Sequence, residues 1–223
     1  MSIEVKNLVK TFEDKVVIND ISFKVDDGEI LAIVGFSGSG KSTVLKLISG
    51  LIPYDSGEII TSEGDTAMVF QYSALFDSLN VFENISFALR ERKDLRHKYT
   101  EDDLRQIVAD KLELVGLQGI ENKFPSELSG GMQKRVSFAR AIVTQPNTIL
   151  YDEPTAGLDP MSSTLIEDYI VRLKHEINAA SIVVTHQMST ITRTSDRVIM
   201  LYDGKIVFEG TPDELFCIRS ILF

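Results

Sequence analysis

The stretch GFSGSGKST (residues 35–43) decides the fold, because it matches the pattern G-x-x-x-x-G-K-[ST] in the context that this pattern requires. It follows EILAIV (29–34), a continuous apolar run typical of a strand buried on both faces of a parallel sheet. It precedes STVLKLIS (42–49), a helix that Gly50 can end. A strand, a glycine-rich turn and a helix in this order predict a loop that binds phosphate, whereas a chance glycine turn would lack the flanking elements.

The chemistry of this loop follows from its residue types. Glycines let backbone N–H groups close around phosphate oxygens, and the helix dipole adds positive potential. We expect Lys41 to reach the β- and γ-phosphates of a nucleotide, Ser42 to ligate Mg²⁺ and Thr43 to bond the α-phosphate. The residues predicted to surround the nucleotide here are Gly35, Phe36, Ser37, Gly38, Ser39, Gly40, Lys41, Ser42 and Thr43.

An acidic pair ends a second apolar strand, in TILYDEP (148–154). Ligands of open α/β sheets bind at the carboxyl ends of the strands, so Asp152 is predicted to face the Mg²⁺, through water. Glu153 is one residue further and can approach a water in line with the γ-phosphate, which predicts that it acts as general base. Alone, this acidic pair would indicate a solvated loop. Together with the predicted phosphate loop, it indicates a catalytic site.

Two further strand ends carry candidate site residues. His186 follows SIVVT (181–185), which predicts that it points toward the same phosphates. Gln71 follows AMVF (67–70), and its carboxamide can ligate Mg²⁺ and orient water, although a lone glutamine is usually a surface residue. The predicted metal ligands are therefore Ser42, Gln71 and Asp152, the last through water.

Strands alternating with helices predict an α/β fold with a mostly parallel, doubly wound sheet. The fold expected is a P-loop NTPase core with an N-terminal antiparallel β subdomain and an inserted α-helical subdomain. We assign 1–71 and 146–223 to the core, and 72–145, which holds no good strand, to the helical subdomain. Together they form a single nucleotide-binding domain over 1–223.

Capping patterns predict where the later helices begin and end. The helices of 72–145 are expected to begin at Asn80, with Glu83 at capping-box spacing, and at Thr100, ending at Gly116. Two apolar faces are predicted on other helices: Met132, Val136, Ala139 and Val143 after Gly130, and Met161, Leu165, Tyr169 and Leu173 after an Asp159 cap.

Bulk composition excludes several classes. With 23 basic and 33 acidic residues the net charge is −10, which argues against nucleic acid as a partner. The single cysteine, Cys217, cannot form an internal disulfide and suits a reducing compartment. No apolar run approaches the roughly 18 residues of a membrane helix, and the N-terminus lacks a signal peptide's apolar stretch. We therefore expect neither a transmembrane segment nor a signal peptide.

A second glycine-flanked helix start, LSGG (128–131), looks redundant until the motifs are taken together. In this order they resemble the ATP-binding-cassette (ABC) ATPases over essentially the whole chain. The matching motifs are Gly35–Thr43 (Walker A), Gln71 (Q-loop), Leu128–Gly131 followed by MQKR (signature), Ile149–Glu153 (Walker B), GLDP at 157–160 (D-loop) and His186 (switch histidine).

The resemblance implies ATP and Mg²⁺ as cofactors and a head-to-tail dimer in which each ATP lies between one chain's Walker A and the other's signature. It places Ser129, Gly130, Gly131 and Gln133 on the partner's ATP, and Asp159 at the dimer interface. It also implies that Phe12 stacks on adenine, in competition with an ordinary core or surface role for this phenylalanine.

Transporters are the class that the resemblance favours, with a separate permease docking near 72–91 and the chain held peripherally at the cytoplasmic face of the membrane. The stretches VFQYSALFDSLNVFENISFALRE, SELSGGMQKRVSFARAI and YDEPTAGLDP resemble the Mla-type phospholipid-trafficking ATPases, which work with MCE-type lipid-binding proteins. The alternatives are an amino-acid or metal importer ATPase and a non-transport ABC ATPase. The latter usually carries two cassettes or coiled-coil or zinc insertions, which this chain lacks.

Overall fold

A computed structural model describes residues 3–61 and 64–222, in which nine strands and seven α-helices form two sheets and their flanking layers. The strands are β1 (Ile3–Phe12), β2 (Lys15–Val25), β3 (Ile30–Val34), β4 (Ser56–Thr61), β5 (Thr66–Val69), β6 (Thr148–Asp152), β7 (Ala180–Val184), β8 (Arg197–Tyr202) and β9 (Lys205–Gly210). The helices are α1 (Lys41–Ile48), α2 (Val81–Glu91), α3 (Glu101–Leu114), α4 (Gly130–Ala141), α5 (Pro160–Ile177), α6 (Met188–Thr194) and α7 (Pro212–Leu222). Among the helices described, none is long and apolar enough to cross a membrane.

The larger sheet has the strand order β5-β6-β7-β3-β8-β9 and is parallel except for β9, which pairs antiparallel with β8. Every residue of β3, β6 and β7 is buried, as the continuous apolar runs predict for central strands. Because these three strands are neighbours and parallel, their carboxyl ends lie along one edge of the sheet. That edge receives the phosphate loop, the acidic pair and His186.

The smaller sheet is antiparallel, in the order β2-β1-β4, and confirms the predicted N-terminal β layer. Ile21, Phe23 and Val25 of β2 alternate with exposed residues and are buried. They share a hydrophobic core with Leu45 of α1 and Leu150 of β6, so the two sheets enclose α1 between them. The phosphate loop is thereby anchored on both sides.

Three helices lie between β5 and β6. The capping boxes predicted at Asn80 and Thr100 are both present, and Gly116 follows the end of α3 with a φ of 63°. Along α4 the predicted face is confirmed for Val136 and Ala139, which are buried, and for Met132, which packs partly buried against the same cluster. Val143 is buried too, but it lies two residues beyond the end of α4. This core also contains Tyr151 of β6, so the helical layer packs directly on the sheet. The boundaries at 72 and 145 stay a prediction.

The apolar face predicted for α5 is wrong in part. Ile166, Ile170 and Leu173 are buried, whereas Met161 is 80 % exposed and Leu165 is 39 % exposed. Each four-residue step along an α-helix overshoots a full turn by about 40°, so residues spaced only by fours do not stay on one face of the helix. The face that packs alternates steps of four and three, as the buried residues do.

Candidate active site

The phosphate loop joins β3 to α1 through glycines whose positive φ angles side chains rarely adopt. At Gly35, with a φ of 150°, an added Cβ would lie 2.3 Å from Leu201 O and 2.7 Å from Ser39 Oγ. Gly38 has a φ of 79° and open space where its Cβ would be. The first glycine therefore permits close packing, and the second leaves the backbone accessible to a ligand.

Lys41 lies at the start of α1 with only 9 % of its surface exposed. Its Nζ donates to Gly35 O at 2.9 Å and to Phe36 O at 3.0 Å, which closes the loop around the ammonium group. Burial lowers the pKa of Lys41, while Glu153 and Asp152 nearby oppose that shift. A buried ammonium held only by carbonyl oxygens is a site for an anion.

Ser42 and Asp152 bring oxygen ligands to the same place. The Ser42 hydroxyl donates to Asp152 Oδ1 at 2.8 Å. Burial raises the pKa of Asp152, and the hydrogen bond from Ser42 opposes that rise. A carboxylate and a hydroxyl oxygen beside a phosphate-binding loop are the hard donors that Mg²⁺ requires. The residues present therefore fit the predicted Mg²⁺ site.

Glu153 adopts a conformation that is rare for a side chain of its size. Its φ is 48°, its backbone N–H donates to Val184 O at 2.8 Å, and the Thr185 hydroxyl donates to Oε2 at 3.3 Å. Its side chain is 12 % exposed, and Oε1 lies 2.8 Å from Nδ1 of His186, whose side chain is 67 % exposed. Left-handed backbone at a non-glycine residue is concentrated at functional sites. With Glu153 ionised, Nδ1 is the donor and Nε2 is left for a ligand.

These groups meet around one cavity of about 660 Å³. The residues lining it are Val17, Gly35, Phe36, Ser37, Gly38, Gly40, Lys41, Ser42, Thr43, Gln71, Glu153 and His186. The structure thus brings the phosphate loop, Gln71 and the Glu153–His186 pair together. Asp152 does not line the cavity but bonds to Ser42, which does. The Ser39 hydroxyl is buried and also lies outside the lining. Val17 was missed from the sequence because a valine in a strand carries no signal of a site.

The signature residues lie elsewhere and line no part of this cavity. Ser129 caps α4 by accepting from Met132 N at 3.3 Å, and Gly130 beside it is exposed. Gln133 turns inward, where its Nε2 donates to Pro125 O at 2.8 Å. Contact of Ser129, Gly130, Gly131 and Gln133 with a nucleotide stays a prediction.

Two other predicted positions also remain apart from the cavity lining. Phe12 ends β1 with 44 % exposure, and Lys10 Nζ lies 5.2 Å from its ring centroid, so stacking on adenine stays a prediction. Asp159 caps α5 as expected, accepting from Ser162 N at 3.0 Å and Ser162 Oγ at 2.6 Å. These bonds lower the pKa of Asp159. Its role at a dimer interface stays a prediction.

Comparison with known proteins agrees with this geometry. The family profile described as ABC transporter matches residues 18–156. The chain is 42 % identical to the chloroplastic protein TRIGALACTOSYLDIACYLGLYCEROL 3 of Arabidopsis thaliana, covering 95 % of this chain and 69 % of the relative. It is 40 % identical to the intermembrane phospholipid transport system ATP-binding protein MlaF of Haemophilus influenzae, covering 96 % and 85 %. It is also 37 % identical to a sulfate/thiosulfate import ATP-binding protein, cysA, of Cucumis sativus, covering 97 % and 64 %.

Among solved structures, the chain is similar to a dimer of the ATP-binding cassette MJ0796 in a post-hydrolysis state bound to ADP and Pi. The TM-score is 0.84 at 28 % identity, over 94 % of this chain and 98 % of that one. The predicted fold class is therefore confirmed, including a mostly parallel sheet beside an antiparallel one.

Proposed function

This chain belongs to the ABC transporter family, and we propose that it is the ATP-hydrolysing subunit of a transporter that moves phospholipid or a related lipid. ABC ATPases bind ATP with Mg²⁺ and hydrolyse it, and we assign this reaction to the cavity around Lys41. In the proposed assembly the chain works with a separate permease and an MCE-type lipid-binding protein. It lies peripherally at the cytoplasmic face of the membrane, held there by the permease.

The observation that carries the proposed chemistry is the Glu153–His186 contact at the rim of the cavity that contains Lys41. Lys41 and the N-terminus of α1 bind the phosphates. Glu153 accepts a proton from the attacking water, and His186 orients the γ-phosphate through its remaining ring nitrogen. Ser42, Gln71 and Asp152 would hold Mg²⁺, which when bound neutralises charge on the phosphate oxygens.

The second copy supplies the other half of the site in this proposal. Ser129 and the first turn of α4 present a hydroxyl and backbone N–H groups at an exposed helix start that lies outside the cavity around Lys41. These are the groups that bind an anion. Placing them on the ATP of a partner chain gives both glycine-flanked helix starts a ligand. The dimeric state of the cassette MJ0796 supports this arrangement.

The permease is proposed to dock on an exposed aromatic patch formed by Tyr72, Phe76 and Phe87, which are 81 %, 44 % and 39 % exposed. The Phe76 and Phe87 rings are 4.8 Å apart and form one surface. Beneath it, the fully buried Asn84 accepts from Phe76 N at 2.9 Å and donates to Phe76 O at 3.1 Å. The backbone at Phe76 is therefore anchored to α2, and an exposed aromatic patch of this kind is typical of a protein interaction site.

The same patch is tied to the signature helix. Arg140 of α4 donates through Nη1 to Ala74 O at 2.9 Å and lies 5.7 Å from the Phe76 ring. The Ser73 hydroxyl donates to Gln133 Oε1 at 3.2 Å. A displacement of the patch by a permease would therefore move α4, and with it Ser129. This linkage supports coupling between transport and closure of the site.

Lipid is favoured as the substrate class by the MlaF relative and by the GGM-KRV--ARA pattern of the signature region. Met132, the residue that distinguishes this pattern, is partly buried against the core, so it marks a subfamily rather than a ligand contact. A small-molecule importer is the second candidate, because the sulfate/thiosulfate relative is nearly as similar. Substrate choice lies with the permease, since the cavity faces only nucleotide.

Co-purification of the native complex from detergent-solubilised membranes tests the proposal. We expect a permease, an MCE-type protein and bound phospholipid, identified by mass spectrometry. The variant Phe87→Ala should recover less permease, whereas Phe124→Ala, at an equally exposed phenylalanine outside the patch, should recover the wild-type amount. A complex that contains a soluble solute-binding protein and whose ATPase responds to sulfate would overturn the lipid assignment.

A further inference from the structure

A chain of buried polar side chains lies behind the Glu153–His186 pair. Gln187 directly follows His186, and its Oε1 lies 3.1 Å from the Thr155 hydroxyl, two residues after Glu153. The Thr155 hydroxyl lies 3.1 Å from that of Thr190 on α6. Thr190 in turn donates to Oε1 of Glu167 on α5 at 2.7 Å. The chain therefore connects the two loops that carry the proposed catalytic pair to two helices.

Beyond the partly buried Gln187, the other three residues of this chain are removed from solvent, and the last of them is a glutamate. Thr155 and Thr190 are 0 % exposed, and Glu167 is 3 % exposed. Arg193 of α6 closes the far end, with its Nε 3.0 Å from Glu167 Oε2. A buried carboxylate needs hydrogen-bond donors on its oxygens, and Arg193 and Thr190 supply one to each oxygen of Glu167.

Counting protons gives the chain a direction. The Thr190 hydroxyl donates its single proton to Oε1 of Glu167, which accepts it. Thr190 can then only accept from Thr155, which uses the one proton of Thr155. The remaining contact has a proton only if Gln187 presents its NH₂ group to Thr155, an orientation that the amide can adopt by a flip. All three contacts are satisfied only when the residue after His186 is a donor.

We propose that Gln187, Thr155, Thr190 and Glu167 form a positioning relay that sets the separation of Glu153 and His186. The direct contact between that pair is exposed on the His186 side, and it must loosen when a water and a γ-phosphate enter. The Gln187–Thr155 bond ties the same two loops outside the cavity lining. The relay rests on the proposed roles of Glu153 and His186, but none of its four residues lines the cavity.

The first test is a matched pair at Thr155, measured as ATPase activity with melting temperature. Thr155→Val keeps the shape and removes the hydroxyl, whereas Thr155→Ser keeps the hydroxyl. We expect Thr155→Val to lower kcat about tenfold with little change in KM for ATP, since misplacing a catalytic group by a fraction of an ångström has effects of this order. Thr155→Ser should retain most of the wild-type kcat. Equal kcat values for the two variants would overturn the relay.

The second test uses a position that is less buried than Thr155, so that a substitution there disturbs the fold less. Gln187 is only partly buried, and Gln187→Met replaces the donor with an apolar side chain of similar length. If Gln187 and Thr155 act through one bond, the Gln187→Met/Thr155→Val double variant should have the same kcat as the less active of the two single variants. Effects on kcat that multiply would contradict the relay. A Glu153→Gln variant with wild-type turnover would instead remove the proposed role of Glu153, which separates the two failures.

Discussion

The two glycine-flanked helix starts of this chain differ in what surrounds them. At α1, Gly40 offers no side chain to cap the helix, and Lys41 follows inside a cavity lined by the loops that follow β3, β5, β6 and β7. At α4, Ser129 caps the helix itself, through the bond from Met132 N, and the start of the helix lies at the surface. One end leaves its N–H groups for a ligand that the same chain encloses. The other has one of its N–H groups, that of Met132, capped by its own Ser129, and it faces outward.

The difference teaches that a complete anion site and half of one can both be built on a helix start rich in serine and glycine. Glycines and a helix dipole supply attraction at both ends. Only the first end also has a buried cation and oxygen ligands, from Lys41, Ser42 and Asp152. The second acquires them only if another chain brings them. Substitutions at the start of α1 and at the start of α4 should therefore affect ATPase activity in different ways.

The largest effect is expected at Glu153. Glu153→Gln should lower kcat for ATP hydrolysis by about 10²–10⁴, because an amide cannot accept the proton of the attacking water. ATP binding should persist, and ATP-bound dimers should accumulate on size-exclusion chromatography. Glu113→Gln, at an exposed position on α3, should match the wild type. Undiminished hydrolysis in Glu153→Gln would remove this residue as the base.

At Asp152 we expect activity and stability to move in opposite directions. Burial raises the pKa of Asp152 in the folded chain above its unfolded value, so holding it ionised at neutral pH opposes folding. Asp152→Asn keeps the acceptor for Ser42 and should raise the melting temperature of the nucleotide-free protein, while Mg²⁺-dependent ATPase activity falls.

Asp159 provides the control of opposite sign. Its pKa is lowered by the bonds from Ser162, so its ionised form favours folding above the unfolded pKa, and Asp159→Asn should lower the melting temperature at neutral pH. Two shifts of the same sign would contradict the assigned electrostatics.

The smallest effect is expected at the second helix start. Ser129→Ala removes one helix cap, which costs about 1 kcal/mol, or about 2–4 °C in melting temperature for a chain of this size. Thr100→Ala, at the cap of α3, should have a similar effect on melting without lowering ATPase activity. If Ser129→Ala lowers neither stability nor ATPase activity, the hydroxyl has no role at this end.

Much of the site could be predicted from the sequence because its residues follow buried strands. Strands such as β3 and β6 have no polar face, so their apolar runs are unmistakable, and whatever follows them lies at the carboxyl edge of the sheet. That reasoning predicts from the sequence alone that Lys41, Glu153 and His186 lie close together. The capping boxes at Asn80 and Thr100 were predictable for the same local reason.

What escaped prediction depends on packing between elements distant in the chain. Helix α5 carries apolar residues on two adjacent faces, and only the sheet beneath it selects Ile166 and Ile170 over Met161 and Leu165. Likewise, nothing in the sequence near Glu167 indicates a bond to Thr190, 23 positions away. Such contacts exist only once α5 and α6 lie side by side.

The central claim, that each ATPase site is shared between two chains, is tested by mixing two inactive variants. Lys41→Ala removes the buried cation, and Ser129→Arg obstructs the outward-facing helix start. In a mixed head-to-tail dimer one site carries both changes and the other carries neither. Mixing wild type with excess Lys41→Ala gives dimers with one intact site and measures the activity of such a dimer.

We predict that Lys41→Ala and Ser129→Arg chains, each inactive alone, regain ATPase activity when mixed, with a maximum at equal amounts. If the control dimers are active and the mixed variants stay as inactive as their parents, each site is built within a single chain and the account is wrong.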